Sequence, residues 1–207
     1  LLWCFLPVMA MTAACSDAGE EVNRLTDPNR RTYVEVPSEW HVYDFDQLAS
    51  LEGVGWLSEY RGLSLPVESA SAFDGGPTAD VSQVAVALAE AQYPTGVSVV
   101  RRVPDAEREF LSRDVISQSV LPYKSFEQVE EITKEDFSFG KGVDGIRALI
   151  TYQEPGVGVG VAYLIAVSDD DDGRVFGIYV GCNLDCFSAN QSEIESVVDS
   201  WLVSTKA

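Results

Sequence analysis

The chain has 207 residues, of which 46% are hydrophobic, with four cysteines, one histidine and a formal net charge of −19. That length allows one domain with a substantial core, and the composition is that of a globular protein apart from its acidity. An acidic surface is repelled by nucleic-acid phosphates and by anionic lipid headgroups, so nucleic acid is excluded as a partner and surface charge cannot hold the protein to a membrane.

Residues 1 to 14 carry no charge and form an apolar run that includes Trp3, Phe5, Leu6, Val8 and Met9. The run falls short of the roughly 20 residues that cross a bilayer as a helix but matches the apolar part of a secretory signal. It ends in Thr12-Ala13-Ala14 followed by Cys15, and small residues directly before a cysteine resemble the lipobox of bacterial lipoproteins. In that pattern lipid is attached to the thiol, and cleavage leaves Cys15 as the new N-terminus. The place usually held by leucine is Thr12 here. With neither an initiator methionine nor a basic stretch ahead of the run, the sequence is expected to begin downstream of its true start. The resemblance implies a lipid-anchored protein on the extracytoplasmic face of the cell membrane, its membrane contact made through Cys15. Cys4 would leave with the signal. Acyl chains contribute about 0.8 kcal/mol per buried CH₂, and stable anchoring takes about two of them.

Residues 15 to 31, "CSDAGEEVNRLTDPNRR", are polar, charged and without apolar periodicity, so they are expected to form a flexible tether. A single domain is expected over 32 to 207, with no internal repeat and no second boundary. "TYVEVP", "HVYDFDQL" and "VSVVRRV" are strand candidates in its first half. Residues 81 to 92, "VSQVAVALAEAQ", fit both periods. Val84, Val86 and Leu88 alternate, while Val81, Val84, Leu88 and Ala91 fall at helical spacing; strand is preferred. A helix is expected over 105 to 119, ending before Leu121-Pro122.

The second half is clearer. In "GIRALITYQ", Ile146, Ala148, Ile150 and Tyr152 alternate with Arg147, Thr151 and Gln153, predicting a strand with one wet face. "VAYLIAVS" and "RVFGIYVGC" are apolar on both faces and should be covered on both sides. "DDDDG" between them predicts an antiparallel hairpin, with Gly173 accepting a positive φ and the aspartates solvated. The closing "NQSEIESVVDSWLV" places Ile194, Val197, Val198, Trp201 and Leu202 on one helical stripe, and Ser192 with Glu195 has the spacing of a capping box.

"YVEVPSEW", "GVDGIRALITYQ", the hairpin at 169 to 173 and the terminal "VVDSWLV" together resemble the PsbP-like family. Its fold is α+β, an antiparallel β-sheet sandwiched between helices, and the family includes a nuclear-import factor and bacterial exported lipoproteins. The resemblance implies a scaffold that binds or assists partners and does not catalyse, and it transfers no functional residue.

Cys182 and Cys186 in "GCNLDCF" are the strongest internal constellation. In an exported protein this C-x-x-x-C pair is expected to be a disulfide, contributing roughly 2 kcal/mol or less because the loop it closes is short. Zinc would need four ligands, and the single histidine, His41, is distant in sequence. Redox dithiols normally use C-x-x-C. The acidic run Asp169 to Asp172 lacks the calcium-loop pattern, since the twelfth position from Asp169 is Val180. "GVGVG" at 156 to 160 precedes a strand and not a helix, so it is read as a turn and offers no helix N-terminus to a phosphate. His41 is expected to be a surface or satisfied residue, and Arg101 and Arg102 to pair with neighbouring acids. The sequon Asn190-Gln191-Ser192 is read as incidental in a lipoprotein. No catalytic motif and no cofactor site is visible. The leading expectation is a non-catalytic binding or accessory module for an envelope protein or small ligand. The rival is an exported hydrolase using paired carboxylates in a cleft, and a third reading is a purely structural acidic module.

Overall fold

The computed structural model describes residues 21–29, 31–51, 65–123, 129–140 and 142–204. The signal expected at 1–14, Cys15 and the first part of the tether lie outside the described residues. Ten strands and three α-helices follow in chain order: β1 Val22–Thr26, β2 Thr32–Pro37, β3 His41–Tyr43, α1 Phe45–Ala49, β4 Val67–Asp74, β5 Thr95–Arg102, α2 Arg113–Val120, β6 Val129–Gly140, β7 Val143–Glu154, β8 Gly158–Asp169, β9 Arg174–Asn183, α3 Leu184–Ser200 and β10 Leu202–Val203. Seven strands make one antiparallel sheet in the order β3-β4-β5-β9-β8-β7-β6, and three make a second in the order β1-β2-β10.

The strand alternation sets the layers. In β8, Ala162, Leu164 and Ala166 enter the core on one face, while Val161, Ile165 and Val167 enter the core on the other. The first face is closed by α2 through Ile116 and Val120, by α1 through Leu48, and by the segment carrying Val84 and Leu88. The second is closed by α3 through Ile194, Val197 and Val198, and by Val34 and Val36 of β2. The sheet is thus covered on both sides, and on the second side the small sheet shares the work with the terminal helix. At Gly177 of β9 the helix α2 comes so near that an added Cβ would stand 2.0 Å from a Val120 methyl, so only glycine admits that packing distance.

Several local expectations change. Val22–Thr26, inside the tether expected at 15–31, form a strand and pair with β2 in the register Val22↔Pro37 to Thr26↔Tyr33. Leu25 packs against the second core cluster, and Asn23 Nδ2 donates to the Ser38 carbonyl, so tertiary pairing orders a segment with little drive of its own. Over 81–92 there is no strand. Asp80 caps a 3₁₀ turn at Val81–Ala85 by accepting from the Ser82 N–H, and Val84, Leu88, Ala89 and Ala91 are the residues buried, three of them from the helical set. In place of one helix at 105–119, a 3₁₀ turn at Asp105–Phe110 is followed by α2. The break is Ser112, whose extended backbone and side chain cap α2 through the Val115 N–H. Only the first residues of "HVYDFDQL" are strand, since Asp44 and Gln47 form a capping box that starts α1.

Helix α3 begins earlier than the pattern suggests. Asn183 caps it through the Cys186 N–H, directly after β9, so Ser192 and Glu195 lie inside the helix and form no N-terminal box. Asn190 departs from helical geometry there, and its Nδ2 donates to the Cys186 carbonyl at 2.8 Å. Such insertion of a side-chain donor accounts for the kink. Leu202 leaves the helical stripe and is exposed in β10.

Candidate functional site at the hairpin end

The β8–β9 hairpin turns through Gly173 at φ +63°, as expected of its sequence. Asp170 and Asp171 are solvent-exposed, but the aspartates on either side of them are not. Arg31, from the segment just before β2, reaches across to them. Its Nη2 donates to Asp169 Oδ2 at 3.2 Å, its Nη1 to Asp172, and its Nε to the Ser204 carbonyl at 3.2 Å. The guanidinium also lies 5.5 Å from the centroid of the Phe176 ring. With side-chain exposures of 7% and 9%, Arg31 and Asp169 are a buried ion pair, which corrects the expectation of a wholly solvated acidic tip. A buried charge persists only when paired, and the pairing ties the small sheet to the end of the large one.

A second arginine completes the cluster. Arg174, the first residue of β9, grips both oxygens of Glu68, Nε at 2.6 Å and Nη2 at 3.3 Å, and its Nη1 bonds Asp172. Burial alone would push the Asp172 carboxyl up, but the hydrogen bonds from Arg174 and Arg31 outweigh it and hold the group below the usual carboxylate range. The Glu68 hydrogen bond raises the Arg174 guanidinium in turn. Around this base Arg102, Arg108 and Arg174 line a polar cleft of about 350 Å³ with Val103, Asp105 and Asp172. Arg108 donates to the Asp170 carbonyl at 3.2 Å and pairs with Asp105 at 3.1 Å.

Other residues singled out in the sequence are placed as follows. Cys182 and Cys186 form a disulfide, joining the end of β9 to the first turn of α3, and both are buried. Arg102 lies 3.6 Å from Glu68, and Arg101 is buried and donates to the Leu65 carbonyl at 2.8 Å. Burial pushes the Arg101 guanidinium down to about 10. His41 stands on edge strand β3, and its Nε2 has no hydrogen-bond partner among the described residues. Of "GVGVG" at 156 to 160, read as a turn, only Gly156 and Val157 turn the chain, and Gly158–Gly160 already belong to β8.

The paired-carboxylate reading needs acids that converge and are free to react. Among the described residues the buried carboxylates are Asp27, Asp74 and Asp169. Asp27 accepts from the backbone N–H groups of Asn29, Arg31 and Thr32, Asp74 from the Tyr43 hydroxyl at 2.5 Å and the Gly76 N–H at 2.7 Å, and Asp169 from Arg31. Each is engaged as a structural acceptor, Asp27 within its own turn and Asp74 and Asp169 also by a partner from another element. The described residues contain no group of three or more His, Cys, Asp or Glu side chains able to hold a metal ion, and no helix among them is long and apolar enough to cross a membrane. The Arg31 and Arg174 clusters were not visible in the sequence, because their partners lie 138 and 106 residues away.

No protein-family model matches the chain, and no curated protein matches it in sequence. The fold is that of Mog1p, an antiparallel sheet with a few helices. The Ran-binding protein Mog1p of Saccharomyces cerevisiae is similar over 89% of this chain and 96% of its own, at 7% identity and a TM-score of 0.50. Cyanobacterial PsbP from Synechocystis covers 93% of this chain and 99% of its own at 14% identity and a TM-score of 0.49. LpqN of Mycobacterium tuberculosis, described as involved in cell envelope biogenesis, covers 89% and 91% at 11% identity and 0.48. At such identities the likeness is one of fold.

Proposed function

We propose that the protein is exported, anchored by lipid on Cys15, and serves outside the cytoplasm as a non-catalytic binding or accessory module. The observation that carries this reading is the buried Cys182–Cys186 disulfide, a bond that persists in oxidising compartments and is rare in the cytosol. It is independent of the N-terminal pattern yet agrees with it: an uncharged apolar run, small residues, then Cys15 and a short polar stretch before β1. The binding role is supported by the hairpin-end cleft and by the structural engagement of every buried carboxylate among the described residues.

Replacing Cys15 with Ala and fractionating cells tests the anchor. The variant is expected to leave the membrane fraction, and membrane association equal to that of the parent chain would refute lipid attachment at this residue.

A further inference from the structure

Three open clefts of about 310, 350 and 450 Å³ differ sharply in the charge of their linings. One carries Asp80 and Glu90 and no cation. The largest sets Arg108 and Arg113 against Glu109, Asp144, Asp169 and Asp170. The cleft at the hairpin end alone of these three has more cations than acids, Arg102, Arg108 and Arg174 against Asp105 and Asp172, in a chain of net charge −19. Asp172 is moreover already paired with Arg31 from beneath.

Arg102 decides what this cleft is for. Every other described arginine has a hydrogen bond or ion pair at 3.2 Å or closer. Arg102, with its side chain 67% exposed, makes only the 3.6 Å approach to Glu68. Glu68 gives each of its oxygens to the two-pronged grip of Arg174, so Arg102 shares a carboxylate whose charge another guanidinium already answers. The second wall residue, Arg108, is matched to Asp105 in a pair exposed by 44% and 95%, the kind of surface contact that contributes little and is readily exchanged. We propose that this cleft binds an oxyanion, a phosphate or carboxylate group on a small polar molecule, with Arg102 as the principal donor and Arg108 turning from Asp105 to assist. The planar fork of guanidinium donors suits such groups, and the size of the cleft suits a small ligand.

The same oxyanion chemistry is found on lipid headgroups and on soluble molecules; within the binding role proposed above, the chain's net charge of −19, repelled by anionic headgroups, favours the soluble source.

Calorimetric titration of the full chain with inorganic phosphate and with citrate, at low salt, tests the site. Saturable binding is expected, weakened roughly tenfold or more by Arg102→Gln, the effect of losing one charge-assisted pair. Because Arg102 is exposed and outside the buried cluster, the variant should keep the parent melting temperature. No saturable binding of either anion, or equal binding by Arg102→Gln and parent, overturns the proposal. The Cys15→Ala chain mixed with anionic vesicles separates the sources: Arg102-dependent vesicle binding would overturn the soluble assignment. Phosphate binding by that same variant should be intact, so failure of the anchor and failure of the cleft are told apart.

Discussion

Replacing Arg31 with Ala removes a side chain that joins the small sheet to both ends of the acidic hairpin, Asp169 and Asp172. Asp169 keeps a backbone hydrogen bond from the Asp172 N–H at 3.0 Å but loses the cation on its other oxygen, at a site where both partners are less than a tenth exposed. Stranding one member of a buried pair destabilises a protein by about 3–5 kcal/mol, against about 0–1 kcal/mol for an exposed pair. For a chain of this size that corresponds to a fall in melting temperature of about 6–20 °C. Urea unfolding at pH 7, followed by the fluorescence of buried Trp40 and Trp201, measures it. A loss below about 1 kcal/mol would show that Arg31 acts as a surface residue and would refute the clasp. Arg31→Met combined with Asp169→Asn should recover most of the loss, since the stranded charge is gone. The pH dependence has a definite sign. Asp172 is held below its unfolded value, so its contribution is complete above about pH 4 and disappears as pH falls through the lower folded-state value. Arg31→Ala should therefore flatten the acid limb of the stability curve.

Exchanging both Cys182 and Cys186 for serine should cost about 2 kcal/mol, the chain-entropy value for so short a loop, read as the shift between urea midpoints of the two proteins. A cost above about 4 kcal/mol would mean that the bond organises the start of α3 as well as restraining the unfolded chain. Gly177→Ala should destabilise by about 1–3 kcal/mol, and Val120→Ala in the same chain should offset part of that loss by vacating the space; additive losses in the double variant would contradict the close approach of α2.

How far the structure could be read in advance depends on the range over which each signal acts. The apolar alternation of β8 and β9 is a local pattern with a period of two, and its two sets of side chains do face the two cores as the sequence implies. The hairpin at Gly173 and the spacing of Cys182 and Cys186 are equally local. β1 was hidden because a strand with three polar residues and two apolar ones is ordered by the edge it meets and not by its own composition. Ser112 and Asn183 are capping residues in plain view, yet their weight against neighbouring helical periodicity emerges only once the packing decides which turn is first. Of the site, the arginines at 101 and 102 could be seen as a pair, but their opposite fates follow from strand alternation at the end of β5, one side chain turned into the core and the other to water. Arg31 gave no signal at all, since its partners arrive from the far end of the chain.

The pairing of β1 with β2 also sets a mechanical property. Tension applied at the N-terminal end of β1 meets the antiparallel rungs one after another, Val22↔Pro37 first and Thr26↔Tyr33 last, so the strand peels like a zipper and does not shear as a block. The next obstacle along the load path is Asp27, whose carboxylate gathers the backbone of the following turn, and then Arg31, locked into the hairpin at the opposite end. With the anchor proposed at Cys15, a pull from the N-terminal side would thus release β1 before any force reached the seven-stranded sheet, making β1 a strain-relief strap for the core.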